Sequence, residues 1–222
     1  MDDGATWNTL ASNTASPTVT AGNKIMWKQT GLTPSYSSGI GKFSSTGLFN
    51  VEGNIMSLLY GDDFKNQTSL NGKNFAFLSL FNGNTNVVSA ENLALPATTL
   101  ASSCYAYMFS DCTSLTTAPE LLATTLASWC YADMFRGCTS LTTAPELPAT
   151  TLISNCYNYM FASCTSLNYI KCLATDISAI NCLANWVSNV SSTGAFVKAA
   201  SMTDWTTGSD GVPTGWTVQT ES

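Results

Sequence analysis

The stretch Cys104–Leu115, "CYAYMFSDCTSL", returns as "CYADMFRGCTSL" from Cys130 and as "CYNYMFASCTSL" from Cys156. Its reading decides the fold. Laid over one another without a gap, 95–120 and 121–146 differ only at Pro96/Leu122, Ser103/Trp129, Tyr107/Asp133, Ser110/Arg136 and Asp111/Gly137. A third copy runs over 147–172. A degenerate copy precedes them, with Phe81, Val87, Ala90 and Leu93 at the spacing of Phe109, Leu115, Ala118 and Leu121. Another follows, with Cys182 one period beyond Cys156 and Trp186-Val187 in place of Met160-Phe161. Worn copies at both ends suit a stacked array, whose end repeats must cover the apolar core.

Each unit splits into two parts. In "TLASSCYAYMFSDC", Leu100, Cys104, Met108 and Cys112 recur every four residues, with Tyr105 and Phe109 on the adjoining row. This reads as a short amphipathic helix, with Ser103, Tyr107, Ser110 and Asp111 on its outer arc. The second part, "CTSLTTAPEL", sets Leu115, Ala118 and Leu121 among Thr and Ser. Its Pro119 has no backbone donor, so an extended segment or short irregular strand is expected.

The unit "CY..MF..CTSLT.APELPATTL" resembles the repeat of the BspA-like leucine-rich-repeat surface proteins, relatives of the treponemal type, with Met-Phe where that pattern has Ala-Phe. The likeness covers roughly 78 to 190. The resemblance implies an α+β repeat solenoid of right-handed coils, each a short helix plus an extended segment of about 26 residues. It also implies an extracellular or surface-displayed interaction protein with an adhesion role. Phage tail proteins that recognise similar hosts carry comparable repeats, which gives a phage virion as the alternative setting; a structural spacer in a larger surface protein is the third. The expected organisation is a β-rich N-terminal cap or companion domain over 1–77, about four coils over 78–190 and a C-terminal cap over 191–222. Short strands joined by tight turns are expected in "TVTAGNKIMWKQTG" and "KFSSTGLFNVEGNIMSLLYG", a helical face Leu183/Trp186/Val187/Val190, and a strand at Trp216–Val218.

On a helix, eight residues rise about 12 Å, whereas disulfide-bonded Cα atoms lie roughly 4.4 to 6.8 Å apart. Cys104 would not reach Cys112. A zinc site needs four converging ligands, and the chain holds no His and no CxxC. The thiols are therefore read as small apolar fillers of a core. Cys172 stands outside both cysteine series, ten residues before Cys182, and is the place for an exception.

Without His, Ser-His and Cys-His nucleophile activation is unavailable, and neither an enzyme nor a cofactor is expected. A carboxylate pair of the glycosidase kind is the one catalytic alternative. "GDDF" at Asp62-Asp63 reads as turn chemistry, however, and Glu120 and Glu146 are copies of one position. A net charge of −6, with eight unclustered Lys and Arg, leaves no footprint for nucleic acid or anionic lipid. No apolar run is long enough to span a membrane. "MDDGATWNTL" has no basic or apolar signal region, so the chain is expected to be either an excised piece of a longer exported protein or a component that is never secreted by that route. The expected partner is a surface protein or a glycan.

The positions that differ between copies give one candidate surface. Tyr107, Trp129, Arg136 and Tyr159 fall on the outer arc, and aromatic residues with Arg dominate binding hot spots. Relaxed drift at exposed positions explains the same pattern. A second candidate is the extended face, where Thr117 and Thr143 stack with Tyr169. Leucine-rich-repeat proteins bind through that concave side, and threonine arrays also occur in ice-binding solenoids.

Overall fold

The computed structural model describes residues 8–9, 14–16, 18, 20, 22–29, 33–36 and 39–221. Part of "TVTAGNKIMWKQTG" lies outside them. Residues 22–29 form no strand, and an isolated bridge joins Ser35 to Gly39.

The expected helices are absent, and the α+β leucine-rich-repeat solenoid is overturned. Among the described residues the only α-helix is α1 (Ser57–Tyr60), followed by a 3-10 turn at Gly61–Asn66; both precede the repeats. No helix is long and apolar enough to cross a membrane. The segment 101–112 is instead a chain of turns. Cys104, Ala106, Met108, Ser110 and Cys112 donate their N–H to the carbonyl three residues back, at 3.0–3.3 Å. The alternate residues Ser103, Tyr105, Tyr107, Phe109 and Asp111 donate sideways, to Ser128, Cys130, Ala132, Met134 and Arg136 of the next copy, at 2.7–3.1 Å. Backbone groups that a helix would satisfy internally are thus shared between neighbouring copies, and few are left over.

The geometry that permits this is a left-handed residue every fourth position. Ser103, Tyr107 and Asp111 have φ of 54, 56 and 57°. Trp129, Asp133 and Gly137 repeat the pattern, as do Asn155, Tyr159 and Ser163, then Asn181, Asn185 and Asn189. Each such residue sits at the third position of a four-residue turn, the place where type II turns demand positive φ. Asn, Asp and Gly tolerate it best.

Each copy forms one tier of the stack. The tiers are held in parallel register by short ladders and single bridges, such as Thr99↔Thr125 and Thr143↔Tyr169. The first strands are β1 (Phe49–Asn50) and β2 (Gly53–Asn54), which pair with β3 (Val87–Ser89) and β4 (Leu93–Ala94). The C-terminal sheet has the order β5 (Tyr169–Cys172), β6 (Ala195–Lys198), β7 (Thr217–Thr220), all parallel. The strand expected at Trp216–Val218 is therefore present at β7.

Backbone pairing fixes tiers at about 4.7–4.9 Å, against the 8–10 Å of packed helices. Equivalent rings consequently stack. Phe109 and Phe135 lie 5.7 Å apart and 2° from parallel, and Phe135 and Phe161 5.7 Å apart and 3° from parallel. A second ladder runs Phe77, Tyr105, Tyr131, Tyr157. Both end on Trp186, which also meets Phe196 and Trp205. Leu183, Trp186 and Val187 are buried as their spacing suggested, but on a turn ribbon rather than a helix.

All eight cysteines are buried and free. With the helix gone, the rise argument that separated Cys104 from Cys112 no longer applies. Their environment replaces it: Cys112, Cys138 and Cys164 donate their Sγ–H to the carbonyls of Phe81, Phe109 and Phe135 at 3.2, 3.1 and 3.0 Å, each one tier back. Cys172 lies in β5, fully buried, and is no exception. Burial pushes the thiols of Cys104, Cys112, Cys156, Cys164 and Cys172 up to about 12.

Unfolding returns these thiols to ordinary values near 9, so the unfolded chain releases protons first as pH rises. Their contribution is complete below pH 9 and is lost between there and about 12. The denaturant midpoint should accordingly fall steeply above pH 9. The native protein should also leave an aromatic disulfide reagent almost unreacted at pH 8 until denaturant is added. Rapid labelling of several thiols in the folded protein would contradict this core.

Candidate contact surface on the turn face

The positive-φ residues line one face of the stack, and this face carries four of the sequence candidates. Tyr107, Trp129 and Tyr159 are 37%, 41% and 37% exposed, large fractions for aromatic side chains on a chain with so extensive a core. The outer arc is not uniformly exposed, however, because Ser110 and Asp133 are buried.

Three of the four candidates belong to one network that crosses tiers. The Tyr107 hydroxyl faces the Asp133 carboxylate across one tier step, near enough for each to shift the other's titration. Arg136 donates from Nη1 to Asp133 Oδ1 at 3.3 Å. Its guanidinium carbon lies over the Tyr159 ring, 5.8 Å from the centroid, within cation–π range. The Tyr159 hydroxyl accepts from Asn185 Nδ2 at 3.1 Å. The strip Tyr107–Asp133–Arg136–Tyr159–Asn185 therefore spans four successive tiers.

Burial raises the Asp133 pKa, and the Arg136 and Tyr107 side chains oppose that rise. Partial burial, followed by the neighbouring Asp133 charge, raises the Tyr107 hydroxyl. Trp129 sits one turn earlier in its tier, its N–H donating to the Ser154 carbonyl. Exposed Ile153 and Ile180 occupy the same corner of the next two tiers.

The second candidate set lies on the extended arm. Thr117 bridges Ser89, and Thr143 bridges Tyr169 at the start of β5. Thr117 and Thr143 are exposed and Tyr169 is half-buried. Beside them Lys171 bridges Glu146 at 3.0 Å and Glu221 at 2.7 Å. These residues belong to a different part of the tier from the turn-face strip. Of the carboxylates weighed for catalysis, Asp62 and Asp63 lie in the first turn of the 3-10 segment, where Asp62 pairs with Lys28. Among the described residues, no group of three or more His, Cys, Asp or Glu is placed to hold a metal.

Asp133 and Asn185 belong to the surface but were not singled out from the sequence. The available signal was register: both occupy the column of Tyr107 and Tyr159, and Arg136 follows Asp133 by three residues. A depression of about 340 Å³ beside Tyr36 and Phe75 adjoins this face, since Phe75 is one of its positive-φ residues and Tyr36 lies near enough to Tyr107 to act on its hydroxyl; one of about 190 Å³ is lined by Leu93 and Leu122. Comparison with known proteins yields no match: no family model, no curated protein and no solved structure is similar to this chain.

Proposed function

We propose that this protein is a non-catalytic recognition module that binds a surface glycan or protein through its turn face. The observation that carries the reading is the exposed, prearranged strip from Tyr107 to Asn185. Its aromatic rings, guanidinium and amide are already held by neighbouring tiers, so binding immobilises few side chains. Of the five positions at which the first two full copies differ, four, Ser103/Trp129, Tyr107/Asp133, Ser110/Arg136 and Asp111/Gly137, lie on the turn ribbon. A stack that served only as a spacer would gain nothing from exposed Trp129 and Tyr159.

The likeness of the repeats to surface-protein repeats favours a cell-surface setting as part of a longer exported protein. Thiols held protonated by burial support the non-enzymatic reading, since a nucleophilic cysteine has to reach the thiolate. The test is binding of the labelled protein to bacterial cells and to a glycan array, against a Trp129→Ala/Tyr159→Ala variant. The parent should bind and the variant should lose roughly tenfold or more in affinity, the scale of removing two aromatic anchors. Its melting temperature should stay close to the parent's. Absence of parent binding to every surface tried would favour the spacer role.

A further inference from the structure

The chain contains a single arginine, Arg136, among seven lysines and 14 acidic residues. The other copies carry Ser110, Ala162 and Ser188 at its position, so no tier above or below repeats the charge. The side chain is held from two sides: Asp133 takes one edge of the guanidinium, and the Tyr159 ring lies under its face. Asp133 is itself buried, and the Tyr107 hydroxyl faces it from the preceding tier. Yet the Arg136 side chain remains 52% exposed. A guanidinium has five donors, and Nη1 accounts for one of them here. We propose that Arg136 determines the specificity of the turn face and that its ligand is a carboxylate-bearing polysaccharide.

The inference rests on the recognition reading and adds the ligand class. A prearranged planar fork suits a planar oxyanion, which it binds through two parallel hydrogen bonds. Asp133 and Asp111 lie close by: a Cβ on Gly137 would come within 2.3 Å of Asp111 Oδ1, and Gly137 neighbours Arg136. Against one guanidinium these two carboxylates repel a doubly charged phosphate about twice as strongly as a singly charged carboxylate, so the bidentate geometry of the fork has to carry the binding.

A sugar polymer fits better than an acidic peptide for a backbone reason. A peptide that docks by strand addition needs an open edge for its main-chain hydrogen bonds. The backbone of the turn face is already spent, half on turns and half on the neighbouring tier. What the face offers is side chains: the rings of Tyr107, Trp129 and Tyr159 and the Asn185 amide. Tyr107, Tyr159 and Asn185 share one column, with Asp133 between the two rings, so the groups are spread over four tiers and favour an extended ligand.

The full chain is titrated with oligogalacturonate, with its methyl ester, with a sialylated oligosaccharide and with an oligoglutamate peptide, read by calorimetry and Trp fluorescence. At least one free-acid sugar should bind, and esterification should weaken oligogalacturonate roughly tenfold or more if that is the one bound. Arg136→Lys, which keeps the charge and loses the fork, should cost roughly tenfold at unchanged melting temperature. Indifference to esterification or to Arg136→Lys, tightest binding of the peptide, or silence with both acidic sugars would each overturn the assignment. If those titrations fail while the protein still binds cells through Trp129 and Tyr159, the ligand class is wrong and the recognition reading survives. If cell binding is absent too, the recognition reading falls with it.

Discussion

Trp186→Ala should cost about 3–5 kcal/mol, the range for removing a large buried aromatic side chain. Trp186 has no exposed surface and receives both aromatic ladders, meeting Tyr157 at 6.5 Å and Phe161 at 6.2 Å between ring centroids. It passes the core on to Phe196 at 6.2 Å and Trp205 at 6.0 Å. Its Nε1–H donates to the Gly211 carbonyl at 2.8 Å, tying the segment after β6 to the last turn ribbon. Alanine removes all of these contacts and orphans that carbonyl. Because domains of this kind retain only about 5–15 kcal/mol in total, the variant should melt far below the parent. Urea unfolding followed by far-UV circular dichroism measures the loss, and a cost under about 1 kcal/mol would mean that the ladders do not converge on Trp186. Cβ space is equally short beside it. An added methyl at Gly211 would lie 2.0 Å from the Thr206 carbonyl oxygen, so the close approach that positions this carbonyl requires glycine.

The triple variant Asn181→Ala/Asn185→Ala/Asn189→Ala should be destabilised by about 3 kcal/mol, since the left-handed conformation costs an ordinary L-residue roughly 1–2 kcal/mol and Asn is the non-glycine residue that tolerates it best. The three residues have φ of 53, 53 and 59°. The sign separates the two architectures. On a helix these substitutions, two exposed and one half-buried, would stabilise, because Ala is the best helix former and Asn a poor one. The matching Gly variant should hold the parent's stability or exceed it. A triple-Ala protein more stable than the parent would restore the helix. Neighbouring turns share hydrogen bonds, so the three costs need not add strictly.

This second comparison shows why the repeat's local structure was misread. Leu100, Cys104, Met108 and Cys112 are buried in the turn ribbon as they would be on an amphipathic helix. Over twelve residues the two forms select nearly the same inner positions. The difference is in the period: steps of four drift by about 40° each on a helix of 3.6 residues per turn, while a ribbon of four-residue turns does not drift. The sign of that period stood in the outer column, where Asn181, Asn185 and Asn189 recur every fourth residue and Gly137 and Asp111 take equivalent places. These are residues suited to positive φ, and a helix has no use for them there.

The candidate surface was legible to a similar extent. Differences between copies pointed to Tyr107, Trp129, Arg136 and Tyr159, because exposed positions are free to vary while stacked ones are not. That Arg136 lies over Tyr159, or that Tyr107 reaches Asp133, depends on which residues the tiers bring level. The register comes from sideways backbone bonds such as Tyr107 N–H to Ala132, which a helical reading excludes.

By itself the sequence determined the period, the copies and most of the inward-facing residues, the cysteines among them. Those depend on apolar burial, which composition and spacing encode directly. The tertiary structure alone decided that each unit is a ribbon of turns hydrogen-bonded to its neighbours, that Tyr157 and Phe161 stack on Trp186, and that Arg136 stands braced between Asp133 and Tyr159. Those features rest on backbone hydrogen bonds between residues about 26 positions apart, which no short window of sequence contains.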